Sequence, residues 1–236
     1  PLKIGDNLFS EISGKPASLL TFLNGKSTIS VTDEQAYQLG LILGKMHNIS
    51  TDLKINRKNP MSLGSFPKLI DISSNTAENF SKNLNKVISE EYNRLLSNWP
   101  EKLPSGIIHA DLFPDNVLFN DNKISGVIDF SFSCNDFLSY DLSICINAWC
   151  FRDGEFDISL SKNLLNGYQK IRELNKEELK QLPILCSGSA LRFLLTRLAD
   201  WKVSKDDAMV TPKNPDEFIK ILDFHKDINN SQDYGA

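Results

Sequence analysis

Ile107-Ile108-His109-Ala110-Asp111-Leu112-Phe113-Pro114-Asp115-Asn116, followed by Gly126-Val127-Ile128-Asp129-Phe130, decides both the fold and the chemistry this chain can carry. An apolar run ends in His-x-Asp, Asn116 follows Asp111 by five residues, and a second apolar run ends in Asp129. Val117-Leu118-Phe119 and Ile124 to Asp129 flank the turn Asn120-Asp121-Asn122-Lys123, an Asn/Asp-rich break that predicts a hairpin. That hairpin returns Asp129 to the rim where the loop 110–116 places Asp111 and Asn116. Phosphoryl transfer asks a protein for alignment and for positive charge near the phosphate oxygens, and for little covalent work. A strand-end carboxylate such as Asp111 can accept a hydrogen bond from an acceptor hydroxyl. Mg²⁺ takes hard oxygen donors, usually one or two from protein side chains, and Asn116 and Asp129 offer an amide oxygen and a carboxylate. Taken singly, each residue has a plainer reading: a loop Asp or Asn is a turn former, and a His at a strand end is structural. Their joint order carries the inference. His109 is expected to be structural, fastening the loop to the Asp129 turn, and Asp115 to be a loop carboxylate without chemistry.

The pattern His-x-Asp-x-x-x-x-Asn followed by Ile-Asp, met by His109, Asp111, Asn116 and Asp129, resembles the aminoglycoside phosphotransferase and choline kinase superfamily, the small-molecule relatives of protein kinases. Ala110, Phe130-Ser131 in place of Phe-Gly, and the lack of a following Ala-Pro-Glu set the chain apart from protein kinases. Three segments, Asp129 to Phe151, Ala190 to Trp201 and Gly14 to Gly25, are similar to the homoserine kinases built on this kinase-like fold. The resemblance implies an α+β, protein-kinase-like fold with a mainly helical C-lobe, a catalytic β-hairpin and a partial N-lobe sheet. Residues 1–31 would be the remnant of the N-lobe sheet and hinge, and residues 32–236 the helical lobe carrying the catalytic loop. It further implies ATP and Mg²⁺ as cofactors and ATP-dependent phosphorylation of the side-chain hydroxyl of L-homoserine, a step toward threonine. Asp111, Asn116 and Asp129 would be the catalytic set, with Asn116 and Asp129 on the metal, Asp141 bracing the loop, and backbone near Phe22 and Leu23 meeting the adenine. No position matches the superfamily's phosphate-covering loop, strand Lys or helix Glu, so these 236 residues alone are expected to be weakly active or inactive. Other acceptors (choline, methylthioribose, an aminoglycoside) and a non-catalytic, pseudokinase-like nucleotide-binding module stay as alternatives.

Homoserine is a zwitterion, so its pocket should offer an anion or carbonyls to the ammonium and preferably an Arg to the carboxylate. Asp136 could face the acceptor. Arg192 sits in the apolar segment Ala190-Leu191-Arg192-Phe193-Leu194-Leu195, where an unpaired guanidinium is costly. Its partner is expected to be substrate, Asp200 or another internal carboxylate.

Composition is that of an ordinary globular chain. Net charge of −4 and pI about 5.5 give no basic footprint for nucleic acid. The cysteines Cys134, Cys145, Cys150 and Cys186 have no CxxC or metal spacing and read as buried thiols of a reducing, cytoplasmic protein. No apolar run is read as a membrane span. The oligomeric state is left open.

Along the chain, Leu8–Ile12 and Ala17–Leu23 read as strands split by Gly14-Lys15-Pro16. Gly25-Lys26-Ser27 resembles a P-loop tail, but Leu20 stands where that loop needs Gly. Thr32-Asp33-Glu34-Gln35 is a capping box, opening a helix closed by a structural His47. Residues 49–75 read as a long surface connection, and 76–99 as one helix. Residues 140–151 form a buried helix capped by Asp141, and 157–173 an amphipathic helix. Residues 177–201 read as two helices meeting near Pro183, and Ser231 to Ala236 as a frayed tail.

Overall fold

The computed structural model describes residues 1–3, 5–201 and 212–236. In chain order the elements are β1 (Ser10–Ile12), β2 (Lys15–Ala17), α1 (Asp33–Ser50), α2 (Phe66–Phe80), α3 (Leu84–Asn98), β3 (Ser105–Ile108), β4 (Val117–Asn120), β5 (Lys123–Val127), β6 (Cys134–Phe137), α4 (Leu138–Trp149), β7 (Phe151–Arg152), β8 (Glu155–Phe156), α5 (Ile158–Ile171), α6 (Lys176–Trp201) and α7 (Asp216–Lys226). Helices dominate, and the strands form four antiparallel pairs.

Local chemistry explains the helix starts. The Thr32 side chain accepts from the Gln35 amide at 3.2 Å while Gln35 accepts from the Thr32 amide at 3.1 Å, closing the expected capping box. Asp157 caps α5 through the amides of Ser159 and Leu160. α1 and α5 then meet backbone to backbone. A Cβ on Gly40 would lie 2.1 Å from the Leu164 carbonyl oxygen, and one on Gly167 would lie 2.2 Å from that of Tyr37.

Two apolar cores result. One joins α2, α3, β3, α6 and α7 around Phe66, Leu95, Leu191, Leu194 and Phe218; the other joins α1, the β4–β5 hairpin and α5 around Leu39, Leu43, Val117, Leu164 and Trp149. α4 contributes to both, through Ile144 on one side and Leu142 and Ile146 on the other. It is therefore the rigid element against which the loop between β3 and β4 is set.

Several expectations need correction. The supposed connection 49–75 contains the first half of α2, because Pro67 stands in the first turn, where a missing N–H breaks no helical bond. The expected single helix 76–99 is interrupted at Ser81–Asn83, and Asn83 enters α3 with φ of 69°. α6 runs unbroken through Pro183, a residue that costs roughly 3 kcal/mol inside a helix; complete burial of Leu182, Leu185, Leu191 and Leu194 offsets it. α6 is long and apolar enough to cross a membrane by length and composition, yet 89% of its apolar window is buried inside the fold. The N-terminal strands are shorter than expected: Ser13 and Gly14 make the β1–β2 turn with positive φ, and beyond Ala17 the Leu2 amide donates to the Leu19 carbonyl at 2.7 Å and Lys26 bridges Phe119. α4 starts at Leu138 because β6 runs directly into it, so Asp141 lies inside the helix rather than capping it. The C-terminal residues are no frayed tail, since Tyr234 is completely buried.

Candidate active site

β3 delivers the chain to a turn built on Ala110, a non-glycine residue with φ of 66°. Such backbone persists only where its surroundings fix it. The fully buried Asp141 accepts the His109 and Ala110 amides, each at 2.8 Å, and Arg192 Nη1 donates to the Ala110 carbonyl at 2.6 Å. Burial alone would raise the Asp141 pKa, but the His47 hydrogen bond, the nearby imidazoles and the His109 amide outweigh it and hold the carboxyl below its usual range. With its proton on Nε2, His47 donates to Asp141 at 3.1 Å and accepts from the Tyr168 hydroxyl at 2.7 Å. That hydroxyl in turn accepts from Arg172, which pairs with the buried Glu178. A polar relay thus runs from α5 and α6 to the turn.

Asp111 follows the turn and is half-buried. Desolvation raises its pKa, opposed by Arg192, His109 and Lys213 and reinforced by the nearby Asp129. The Asn116 side-chain amide donates to the Asp111 carbonyl at 2.8 Å and reaches toward Asp111 Oδ2 at 3.5 Å. His109 Nδ1 accepts from the Asp111 amide, and its Nε2 lies 3.0 Å from the Ile128 carbonyl oxygen. The Ile128 amide donates to the Asn116 carbonyl at 3.0 Å. These bonds bring residues 109, 111, 116 and 128 together and set Asp129 on the same rim. Asp129 is exposed, has φ of 60°, and its Oδ1 accepts from the Ser131 hydroxyl at 2.6 Å. Beneath the loop, Trp149 Nε1 donates to the Leu112 carbonyl at 2.8 Å. Asp115 points away and pairs with Lys213.

Phe22 is 90% exposed, whereas Leu23 packs on the hairpin; a Cβ on Gly126 would lie 2.6 Å from Leu23 Cδ1. Asp136, on β6, is held by Asn59 Nδ2 at 2.6 Å and by the Phe137 amide, and burial is the main cause that raises its pKa. Among the described residues Arg192 does not pair with Asp200 or another carboxylate. Its neighbours are the Ala110 carbonyl, the Tyr140 hydroxyl beside the guanidinium, and the faces of Phe193 and Phe132 at 4.5 and 5.7 Å, while Nε has no hydrogen-bond partner among the described residues.

Sequence reasoning missed His47 as the brace of Asp141, and missed the segment 57–59, which lies along the free edge of β6. Asn135 exchanges hydrogen bonds with Arg57, whose guanidinium reaches the Ser131 and Ser133 carbonyls. For His47 a signal existed: it continues the buried face of Ala36, Leu39 and Leu43, and Asp141 lies in an apolar helix, so each needed a polar partner.

Mg²⁺ is compatible with the donor set. Asn116 spends its amide nitrogen on Asp111 and Asp129 spends Oδ1 on Ser131, which leaves one oxygen on each without a partner among the described residues. No group of three His, Cys, Asp or Glu side chains forms a metal cage among the described residues, and a cation carried on phosphates needs none.

The sequence profile of the phosphotransferase enzyme family matches residues 6–174. The chain belongs to the phosphotransferase enzyme family. It is 44% identical to a homoserine kinase of Xanthobacter autotrophicus over 97% of its length and 71% of that protein's. It is also 44% identical to a homoserine kinase of Agrobacterium fabrum over 100% of its length and 73% of that protein's. Among solved structures it resembles a spectinomycin phosphotransferase in its AMP-bound complex (TM-score 0.59, 18% identity, 97% of this chain and 74% of that one). An amicoumacin kinase solved with AMP-PNP and Ca²⁺ is equally similar (TM-score 0.59, 16% identity), covering 86% of this chain and 61% of its own. The fold is protein-kinase-like, and the chain is a homoserine-kinase-like phosphotransferase.

Proposed function

We propose that the protein transfers the γ-phosphoryl group of ATP to the side-chain hydroxyl of L-homoserine. The observation that carries the acceptor is the 44% identity, over nearly the whole chain, to proteins named homoserine kinase. The rim geometry supports the chemistry. Asp111 would orient the hydroxyl and take its proton as the oxygen attacks phosphorus. Burial raises the proton affinity of this carboxylate, as suits a base, while Arg192 and His109 limit the rise. Asn116 and Asp129 would hold Mg²⁺, which supplies positive charge to the phosphate oxygens when bound with the nucleotide. His109 and Asp141 would keep the loop rigid. The backbone around Phe22 and Leu23 would border the adenine, with residues 1–31 on the nucleotide side and 32–236 forming the helical lobe.

The test is ADP release by the purified protein with each of several hydroxyl acceptors. Release should require both Mg²⁺ and L-homoserine. Turnover of choline, methylthioribose or an aminoglycoside without turnover of L-homoserine would move the acceptor elsewhere. Tight MgATP binding without turnover of any acceptor would make this a nucleotide-binding module.

A further inference from the structure

Beside the proposed catalytic rim are two polar groups that the fold leaves incompletely matched. Asp136 is a largely desolvated carboxylate whose only hydrogen bonds among the described residues come from the Asn59 side chain and the adjacent Phe137 amide; no ion-pair partner is found there. Arg192 is 2% exposed, donates through Nη1 to the Ala110 carbonyl, and keeps a buried Nε without an acceptor among the described residues. The Arg192 guanidinium lies close enough to lower the pKa of both Asp111 and Asp136. A desolvated carboxylate held by neutral donors alone, or a buried N–H without an acceptor, is costly, and each calls for a further partner such as a water, an ion or a ligand.

The neighbouring cleft of about 630 Å³ is the alternative place for an acceptor. It is lined by Thr28, Phe113, Asp115, Arg152, Arg197 and Lys213, among others. Its cations are already committed: Lys213 to Asp115, Arg197 to Glu217 and Arg152 to Asp157. Among the described residues it therefore offers no free cation to an amino acid's carboxylate.

We propose that Asp136, oriented by Asn59, and Arg192 form the acceptor cradle, Asp136 binding the α-ammonium of a free amino acid and Arg192 its carboxylate. This rests on the homoserine reading of the site. Asn59 is a positioning residue. It lies on the segment 57–59 that runs along β6, so its amide fixes the Asp136 carboxylate against that strand. The cradle selects for both charges of a zwitterion, and the hydroxyl at the far end of the side chain is left for Asp111.

Two acceptors separate the two ends. 4-Hydroxybutanoate keeps the hydroxyl and carboxylate of L-homoserine but lacks the ammonium; 3-aminopropan-1-ol keeps the hydroxyl and ammonium but lacks the carboxylate. Wild-type protein should prefer L-homoserine to either by at least ~10² in kcat/KM, as expected when a polar site is deprived of one charge-assisted hydrogen bond. Asp136→Asn should lose ~10² on L-homoserine and 3-aminopropan-1-ol yet change less than ~3-fold on 4-hydroxybutanoate. Asn59→Ala should raise KM for L-homoserine while leaving KM for ATP unchanged. An Asp136→Asn loss of the same size on all three acceptors would assign Asp136 a structural role and overturn the cradle, as would no loss on any. If wild-type protein phosphorylates another hydroxyl compound but not L-homoserine, the homoserine reading fails and the cradle with it. If it phosphorylates L-homoserine but Asp136→Asn discriminates as wild type does, only the cradle fails. Equilibrium dialysis of L-homoserine against wild type and Asp136→Asn, with the non-hydrolysable nucleotide AMP-PNP present, gives a second readout without turnover: the variant should bind at least ~10-fold more weakly, and equal binding would overturn the cradle.

Discussion

At the scale of single residues, the site is a set of hydrogen bonds that hold one left-handed residue still. Ala110 is fixed at its amide by Asp141 and at its carbonyl by Arg192, and Asp111 inherits its direction from that turn. Asp111→Asn keeps the shape but removes the proton acceptor, so kcat should fall by ~10²–10⁴ with ATP affinity little changed. Steady-state kinetics with nucleotide titration would measure it, and a drop under ~10-fold would remove Asp111 from the base role. His47→Phe tests the brace instead. Asp141 would keep its two backbone donors but lose its side-chain one, leaving a buried carboxylate short of a partner, at a cost of about 1–3 kcal/mol; a melting temperature equal to wild type's would argue against the relay. The rim residues were legible in the sequence because the chemistry dictates residue type and spacing together. Asn59 and Arg57 were not, because they reach Asp136 and Asn135 across 77 and 78 residues of chain through a segment with no periodic pattern.

At the scale of elements, the seat of the catalytic loop depends on how closely α1 and α5 approach. His47 on α1 and Tyr168 on α5 meet at 2.7 Å only because Gly40 and Gly167 let the two backbones touch. Gly40→Ala would set a methyl 2.1 Å from the Leu164 carbonyl oxygen, backbone that cannot swing aside. The helices must separate, and such overpacking costs about 1–3 kcal/mol. For a chain of this length that lowers Tm by roughly 2–12 °C, whereas Gly64→Ala, with nothing nearer than 4.0 Å, should leave it nearly unchanged. Differential scanning calorimetry of both variants decides the matter, and indistinguishable melting temperatures would mean that the helices do not pack tightly there. Helices with a clean apolar period, α1 and α5, could be read from the chain. α2 and α6 could not be read correctly, because Pro67 and Pro183 look alike in sequence while their effect depends on helix position and burial. The short strands fall short of their sequence pattern for a similar reason: apolar residues such as Leu20 and Phe22 look strand-like but lie exposed, outside the β1–β2 ladder.

At the scale of the whole molecule, the C-terminal residues close the helical core. Tyr234 donates to His225 Nδ1 at 2.8 Å, and His225 Nε2 donates to Asn147 Oδ1 at 2.6 Å; the Asn147 amide reaches the Cys186 carbonyl and the Ser189 hydroxyl. One imidazole thus ties the chain end and α7 to α4 and α6, and it must be neutral to do so, because Nδ1 serves as acceptor. Burial, helped by the charge of Arg94, lowers the His225 pKa from 6.5 to about 3. The unfolded chain therefore binds a proton that the folded chain refuses. The stability His225 contributes is fully present above pH 6.5 and is lost as pH falls from there toward 3, with a slope of up to ~1.4 kcal/mol per pH unit. The partly buried carboxyls of Asp111 and Asp136, with raised pKa values, act in the opposite sense, and they are common to wild type and to a His225→Gln variant, so they cancel in the difference. Asp141, with its lowered pKa, acts only below the ordinary carboxylate range. Urea unfolding from neutral pH down to about pH 4 should find the variant less stable at neutral pH and the gap to wild type narrowing by up to ~1.4 kcal/mol for each unit below about 6.5. Parallel stability curves for the two proteins would mean that His225 takes up its proton in the fold as readily as in the unfolded chain, and the proposed neutral clasp would have to be abandoned.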